Sequence, residues 1–224
     1  LPVPVQHYLQ YAGVMNKPKV RYFCVIFEGE MREKGKDFFP FCSVQYNFID
    51  DPVRLFYMKG KMYGVNVPGY HRYVHARASM DIRLFGLIPV VKSSGPVMDT
   101  TETVTLFNDM CLLAPATLID PRISWEPVDS LTVRAVFRNQ GVRVSALLYF
   151  NAQGQLINFI SQDRTAIAEG RKLPFSTPVS RYAPVNGFQL MAEGSAVWEY
   201  PDGPFEYGKF RLKSVNYNSA APDM

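Results

Sequence analysis

A chain of 224 residues, with 47% hydrophobic and 20% charged side chains, has the make-up of a folded domain with a sizeable core rather than of a disordered segment. Its net charge of +4 is a small excess of 24 basic over 20 acidic residues, scattered without a basic run, which argues against nucleic acid as a partner. No apolar run reaches the roughly 18 residues of a membrane span. The start at Leu1 leads to the expectation that an anchor or targeting segment precedes it, and through it a membrane association.

In chain order, the first expected element is a helix over about residues 4–12. Pro2 and Pro4 stand where helix starts tolerate proline. Val5, Tyr8, Leu9 and Ala12 recur at helical spacing, and Gly13 supplies a stop. So short a helix is marginal alone and must dock on something larger. Val20 to Phe27 is nearly all apolar and β-forming, a strand covered on both faces that Glu28-Gly29-Glu30 is expected to end. Phe38 to Ile49 alternates Cys42, Val44, Tyr46 and Phe48 against Ser43, Gln45 and Asn47. Strand patterns continue over Arg54–Met62, Tyr70–Ala78, Ser79–Phe85 and Leu87–Val91.

A second helix is expected over about residues 100–113. Asp99 or Thr100 can cap it, Val104, Phe107, Met110, Cys111 and Ala114 keep helical spacing, and Pro115 limits it. The stretch from Trp125 to Arg164 then fixes the class. Its runs Leu131–Phe137, Gly141–Phe150 and Gln155–Ile160 have period 2. They are divided by Asp129-Ser130, Asn139-Gln140-Gly141 and Asn151-Ala152-Gln153-Gly154, which is the pattern of an antiparallel meander. Strands over Pro174–Val185, Phe188–Tyr200 and Tyr207–Tyr217 complete the chain. The expected fold is mainly β (α+β): a strongly curved antiparallel sheet or half-open barrel of about ten strands on two helices, in one domain over residues 1–224.

The cysteines Cys24, Cys42 and Cys111 have neither metal spacing nor a C-x-x-C, and an odd count speaks against a disulfide framework. All three sit in apolar runs and are expected reduced and largely buried. A Cys24–Cys42 bridge is the alternative if the compartment is oxidising.

Several blocks carry a resemblance. They are Leu1-Pro2-x-Pro4-Val5-x-x-Tyr8-Leu9-x-Tyr11-Ala12-Gly13-Val14, Gly86-Leu87-Ile88-Pro89-Val90-Val91 with Ser94-Gly95-Pro96-x-x-Asp99, and Trp198-x-x-Pro201-Asp202-Gly203-x-Phe205-x-Tyr207. Ala114-Pro115-x-x-Leu118 and Trp125-Glu126 lie between them. The chain resembles a bacterial family of unknown function whose members share these blocks. Many of those members carry an upstream membrane segment, which implies a place in the cell envelope. The layout of meander and helices is also similar to the lipoprotein-localisation carriers LolA and LolB, open curved sheets closed by helices over a hydrophobic cavity. That likeness implies a non-enzymatic module binding a lipid or other hydrophobic ligand.

On the residues alone, the expected ligand pocket is the concave sheet face beside the central helix, entered near the Gly86–Asp99 bend. Leu87, Pro89, Val91, Gly95, Phe107, Trp125 and Trp198 are its candidate lining. The rival is a hydrolase in which Glu126, His71, His75 and Arg77 converge from separate strands. His71 and His75, four apart on a strand, would share one face and, with Asp81, could hold a metal. Two histidines are an incomplete site, so neither a metal nor any cofactor is assigned. Serine chemistry lacks a G-x-S-x-G, Ser94 lying in a turn. A third reading is an interaction domain with no small-molecule site.

Overall fold

The computed structural model describes residues 1–62 and 64–219. The first half of the chain forms β1 (Tyr22–Met31), β2 (Phe39–Phe48), β3 (Val53–Met62), β4 (Val65–Val74), β5 (Arg77–Leu84) and β6 (Ile88–Ser94). Each pairs antiparallel with the next. The second meander gives β7 (Ile123–Pro127), β8 (Thr132–Asn139), β9 (Val142–Phe150) and β10 (Leu156–Ser161). Three two-residue pieces follow, β11 (Thr165–Ala166), β12 (Arg171–Lys172) and β13 (Phe175–Ser176), then β14 (Val179–Val185), β15 (Phe188–Tyr200) and β16 (Gly203–Tyr217). Two α-helices accompany them, α1 (Val3–Tyr11) and α2 (Pro96–Leu113).

The strands lie in the order β6-β5-β4-β3-β2-β1-β16-β15-β13-β10-β9-β8-β7, with β14 on β15 and β11–β12 as a separate ribbon. β6 and β7 are therefore the two ends of this order, and α2 lies in the segment that joins them. Registers slip between Ile26 and Phe27, Ile82 and Arg83, and Ala196 and Val197. Each such bulge bends its strand and sharpens the local twist. A sheet of this size does not stay flat. It curls into a half-barrel, the architecture expected from the sequence.

α2 occupies the concave side. From Met98 to Leu113 every residue except Thr100 and Thr105 is buried, so the helix is enclosed on all sides rather than amphipathic. Phe107 stacks on Phe137 with ring centroids 5.3 Å apart and meets Phe159 edge-on at 5.6 Å. Val104, Phe107 and Cys111 are fully buried, as their spacing predicts. The last carbonyls of α2 have no partner within the helix. The Tyr8 hydroxyl from α1 donates to Cys111 O at 2.8 Å, and that of Tyr217 from β16 donates to Leu113 O. Tyr8 is fully buried, which pushes its hydroxyl well above the usual tyrosine value.

Four local expectations are corrected. Glu28-Gly29-Glu30 does not end β1, which runs on to Met31. A Cβ on Gly29 would lie 1.9 Å from Lys209 O and 2.9 Å from the Phe41 ring, so this glycine permits a close backbone approach inside the sheet. α2 begins at Pro96 rather than near 100, and Gly95, at φ 98°, precedes it where Asp99 or Thr100 was expected to cap. β4 stops at Val74, and His75 and Ala76 form a tight turn with φ 51° and 54°. In β2 the buried phase is Phe41, Ser43, Gln45 and Asn47, so Cys42 is exposed while Cys24 and Cys111 are buried. All three thiols are free, and Cys24 faces Tyr46 across the ladder rather than Cys42.

Candidate functional site

The enclosure of α2 raises an electrostatic problem. It carries Asp99, Glu102 and Asp109, all buried, and no basic residue. Burying a carboxylate is unfavourable unless it is paired and hydrogen-bonded. The sheet supplies the partners. Asp99 Oδ1 accepts the Ala78 N–H at 2.6 Å, and Arg77 approaches its other oxygen at 3.2 Å, which pins the start of α2 to β5. Behind it, the Tyr73 hydroxyl lies 2.8 Å from Thr103 Oγ1 and accepts from Asn139 at 2.7 Å.

Glu102 and Asp109 lie seven residues, about two helical turns, apart and so share one face of α2. Arg54, from β3, spans them. Its Nη1 donates to Glu102 at 2.9 Å, its Nε to Asp109 at 2.7 Å and its Nη2 to Gln45 Oε1 at 2.9 Å. Gln45 donates in turn to Asp109 at 2.6 Å, and His71 Nδ1 donates to the second oxygen of Glu102 at 3.1 Å. On the inward face of β2, Gln45 points inward because a carboxylate waits there, whereas the side chains of Ser43 and Asn47 have no hydrogen-bond partner among the described residues.

The two acids respond differently to the shared guanidinium. Burial raises the Glu102 carboxyl, but Arg54, His71 and the more distant Arg164 outweigh it and hold the group at about 2. Burial also raises Asp109, and there Arg54 does not win, because the neighbouring Glu102 charge adds to the upward push. For Arg54 itself, burial lowers the value, and the two carboxylates more than restore it.

Beside this network lies a cavity of about 290 Å³ between α2 and the concave sheet. Its apolar wall includes Met31, Met58, Met80, Met98 and Met191, five of the nine methionines, with Phe27, Phe56, Phe210 and Trp198. Methionine is flexible and polarizable and adapts to irregular apolar shapes. Arg54, Glu102, Asp109, His71 and Arg164 are the ionisable side chains along the polar part. Ile167, next to β11, adds to the wall, and the β11–β12 ribbon is tied to α2 by the Thr165 N–H bonding Thr101 Oγ1 at 3.2 Å. A more open groove of about 520 Å³ near Val14, Ala114 and Tyr217 has Lys17 as its charged lining residue and gathers no comparable cluster.

Of the residues expected to line the pocket, Trp198 does so. Phe107 is in the core on the other side of α2, and Trp125 is half-buried on the edge strand β7. Leu87, Pro89 and Val91 belong to the β5–β6 turn and the edge strand β6. Val91 pairs with the lining residue Ile82, one strand outside the cavity, and Leu87 is 77% exposed. Gly95 precedes α2 and is not among the lining residues. The expected hydrolase set does not assemble. Glu126 is exposed and pairs with Arg134 at 3.6 Å, Arg77 is engaged with Asp99, and His75 is in the turn near Asp51. His71 and His75 do not share a strand face, because the strand ends between them. Asp81 is bound by Arg83. Among the described residues no three His, Cys, Asp or Glu side chains are placed to hold a metal. No helix among them is long and apolar enough to cross a membrane.

Comparison with known proteins places the chain. A family model matches residues 1–210. The chain belongs to a family of unknown function (DUF6544). No curated protein matches it. Among solved structures it is similar to a DUF1329 family protein from Desulfovibrio piger, with a TM-score of 0.50 at 11% identity over 98% of this chain and 94% of that one. It is similar also to a LolA superfamily protein from Nitrosomonas europaea, with a TM-score of 0.49 at 10% identity over 98% and 95%. A putative outer membrane lipoprotein-sorting protein domain from Vibrio parahaemolyticus gives 0.49 at 7% over 98% and 94%. At such identities the likeness is one of fold alone.

Proposed function

We propose that this protein binds the hydrocarbon part of a lipid or similar apolar ligand in the cavity beside α2, as a non-enzymatic carrier of the cell envelope. The carrying observation is the wall itself: five methionines and several aromatics around about 290 Å³, with Arg54, Glu102, Asp109 and His71 joined in one network beside it. Ligand sites are of this kind, mostly apolar with a few polar groups, and begin at about 300 Å³. A ligand of this class supports a membrane-adjacent setting. The test is uptake of a fluorescent fatty-acid probe by detergent-free protein, compared with a Thr105→Phe variant. Thr105 is a half-buried lining residue on α2, and a larger side chain there should fill the space. Saturable uptake lost in the variant supports the reading. No uptake by the wild type, or equal uptake by both, refutes it.

A second reading, a hydrolase, is favoured by the His71–Glu102 pair at the cavity, since a carboxylate orienting an imidazole is the supporting half of many general-base sites. Its test is ester turnover. A His71→Gln variant that loses hydrolysis but keeps probe uptake would establish it, and absence of turnover in the wild type across acyl esters would remove it.

A further inference from the structure

The chemistry at one side chain narrows the ligand class, on the footing that the cavity holds an apolar chain. Arg164 follows β10 and lines the cavity. Its guanidinium carbon lies 4.0 Å from the Phe175 ring centroid and 5.2 Å from that of Trp198. Aromatic faces attract a cation and hold a guanidinium flat. Nη1 donates to the Tyr207 hydroxyl at 2.8 Å, a neutral acceptor. Nε is buried and has no hydrogen-bond partner among the described residues. Nη2 makes no hydrogen bond among them either, and no carboxylate there comes within ion-pair distance of this arginine. Glu102 feels the Arg164 charge at a distance but takes its hydrogen bonds from Arg54 and His71.

The guanidinium is therefore fixed at one corner by Tyr207 and on its face by the rings, while the edge formed by Nε and Nη2 is unused. That edge presents two parallel N–H groups, the fork that fits a carboxylate or phosphate through paired charge-assisted bonds. A buried N–H left without an acceptor is unfavourable, and an oxyanion on the ligand would relieve it. At about 290 Å³ the cavity lies at the small end of ligand sites, which favours one short chain over a multi-chain lipid. We propose that the cavity takes a single-chain amphiphile with an anionic oxyacid headgroup, bound edge-on by Arg164.

The experiment compares three ten-carbon ligands at pH 8 by calorimetry: decanoate, decan-1-ol and methyl decanoate. Decyl phosphate is the fourth arm and separates a phosphate source from a carboxylate one. Decanoate should bind about tenfold to a hundredfold more tightly than the alcohol or the ester, the worth of a charge-assisted hydrogen bond. Arg164→Gln should erase that preference, so that within the variant the acid binds no more tightly than the alcohol or the ester. Arg164→Lys, which keeps the charge without the fork, should restore part of it. Decyl phosphate binding as tightly as decanoate, or more so, supports the same site and points to a phosphorylated amphiphile. Equal affinities for acid, alcohol and ester in the wild type overturn the headgroup assignment while leaving the carrier reading standing. So does a preference that survives in a folded Arg164→Gln protein. Binding of none of the four overturns both.

Discussion

Glu102→Gln and Asp109→Asn should have unequal effects, although both acids bond the same arginine. Glu102 is held at about 2 against an ordinary 4.5. A shift of that size corresponds to about 3 kcal/mol in favour of the charged form in the folded protein. A carboxyl depressed on folding contributes stability that is fully present above the unfolded value, and loses it as pH falls toward about 2. Glutamine keeps the shape and loses the charge. E102Q should therefore unfold about 2–3 kcal/mol more readily than wild type at pH 7, and the two should converge on acidification. Asp109 is shifted upward, so its charged form is disfavoured by folding. The sign reverses: its contribution is present below its unfolded value and is lost as pH rises through the folded one. D109N keeps an acceptor for Arg54 and should cost under about 1 kcal/mol at pH 7. The assay is urea unfolding followed by tryptophan fluorescence from pH 3 to 8, with Trp198 reporting from the cavity wall. A D109N loss as large as that of E102Q, or an E102Q penalty that does not shrink with acid, would refute the electrostatic account.

Phe107→Ala should cost about 3–5 kcal/mol in chemical denaturation, because the ring is fully buried against Phe137 and Phe159, and a loss below about 1 kcal/mol would mean that it is not. Thiol labelling of the native protein should modify Cys42 quickly and Cys24 and Cys111 only on unfolding, and fast reaction of all three would contradict the burial described. Gly29→Ala should destabilise by about 2 kcal/mol or more, since the new methyl meets a backbone carbonyl that has no room to yield. An unchanged melting temperature would count against that contact.

The fold was legible because its main signals are local. Period-2 runs and turn residues mark the strands from Ile123 to Ser161, and helical spacing marks both helices. Legibility failed where tertiary partners override local rules. Glu28-Gly29-Glu30 reads as a break because the carbonyl and the ring that require a glycine lie on other strands. Cys42 reads as buried because alternation gives two faces without saying which points inward. Here the set with Ser43, Gln45 and Asn47 turns in, and Gln45 meets Asp109. The cavity was harder still. Arg54 and Arg164 are single arginines with no motif around them, and their partners come from segments far apart in sequence. One signal was available. Glu102 and Asp109 fall on the α2 face that also bears Met98 and Leu112, and acids on an apolar helical face announce buried partners.

The open rims of the half-barrel have a consequence for how this protein coexists with its own copies. An uncovered strand edge is a template on which another chain can grow. Each rim here carries a proline in its outermost strand, Pro89 on β6 and Pro127 on β7. A proline has no N–H to lend, and it breaks the row of donors an incoming strand would have to match. Lys92 near the first proline and Glu126 beside the second add charges that a stacked copy would have to bury. At both ends of the main strand order a stacked copy would thus meet an interrupted row of donors and a charge to desolvate.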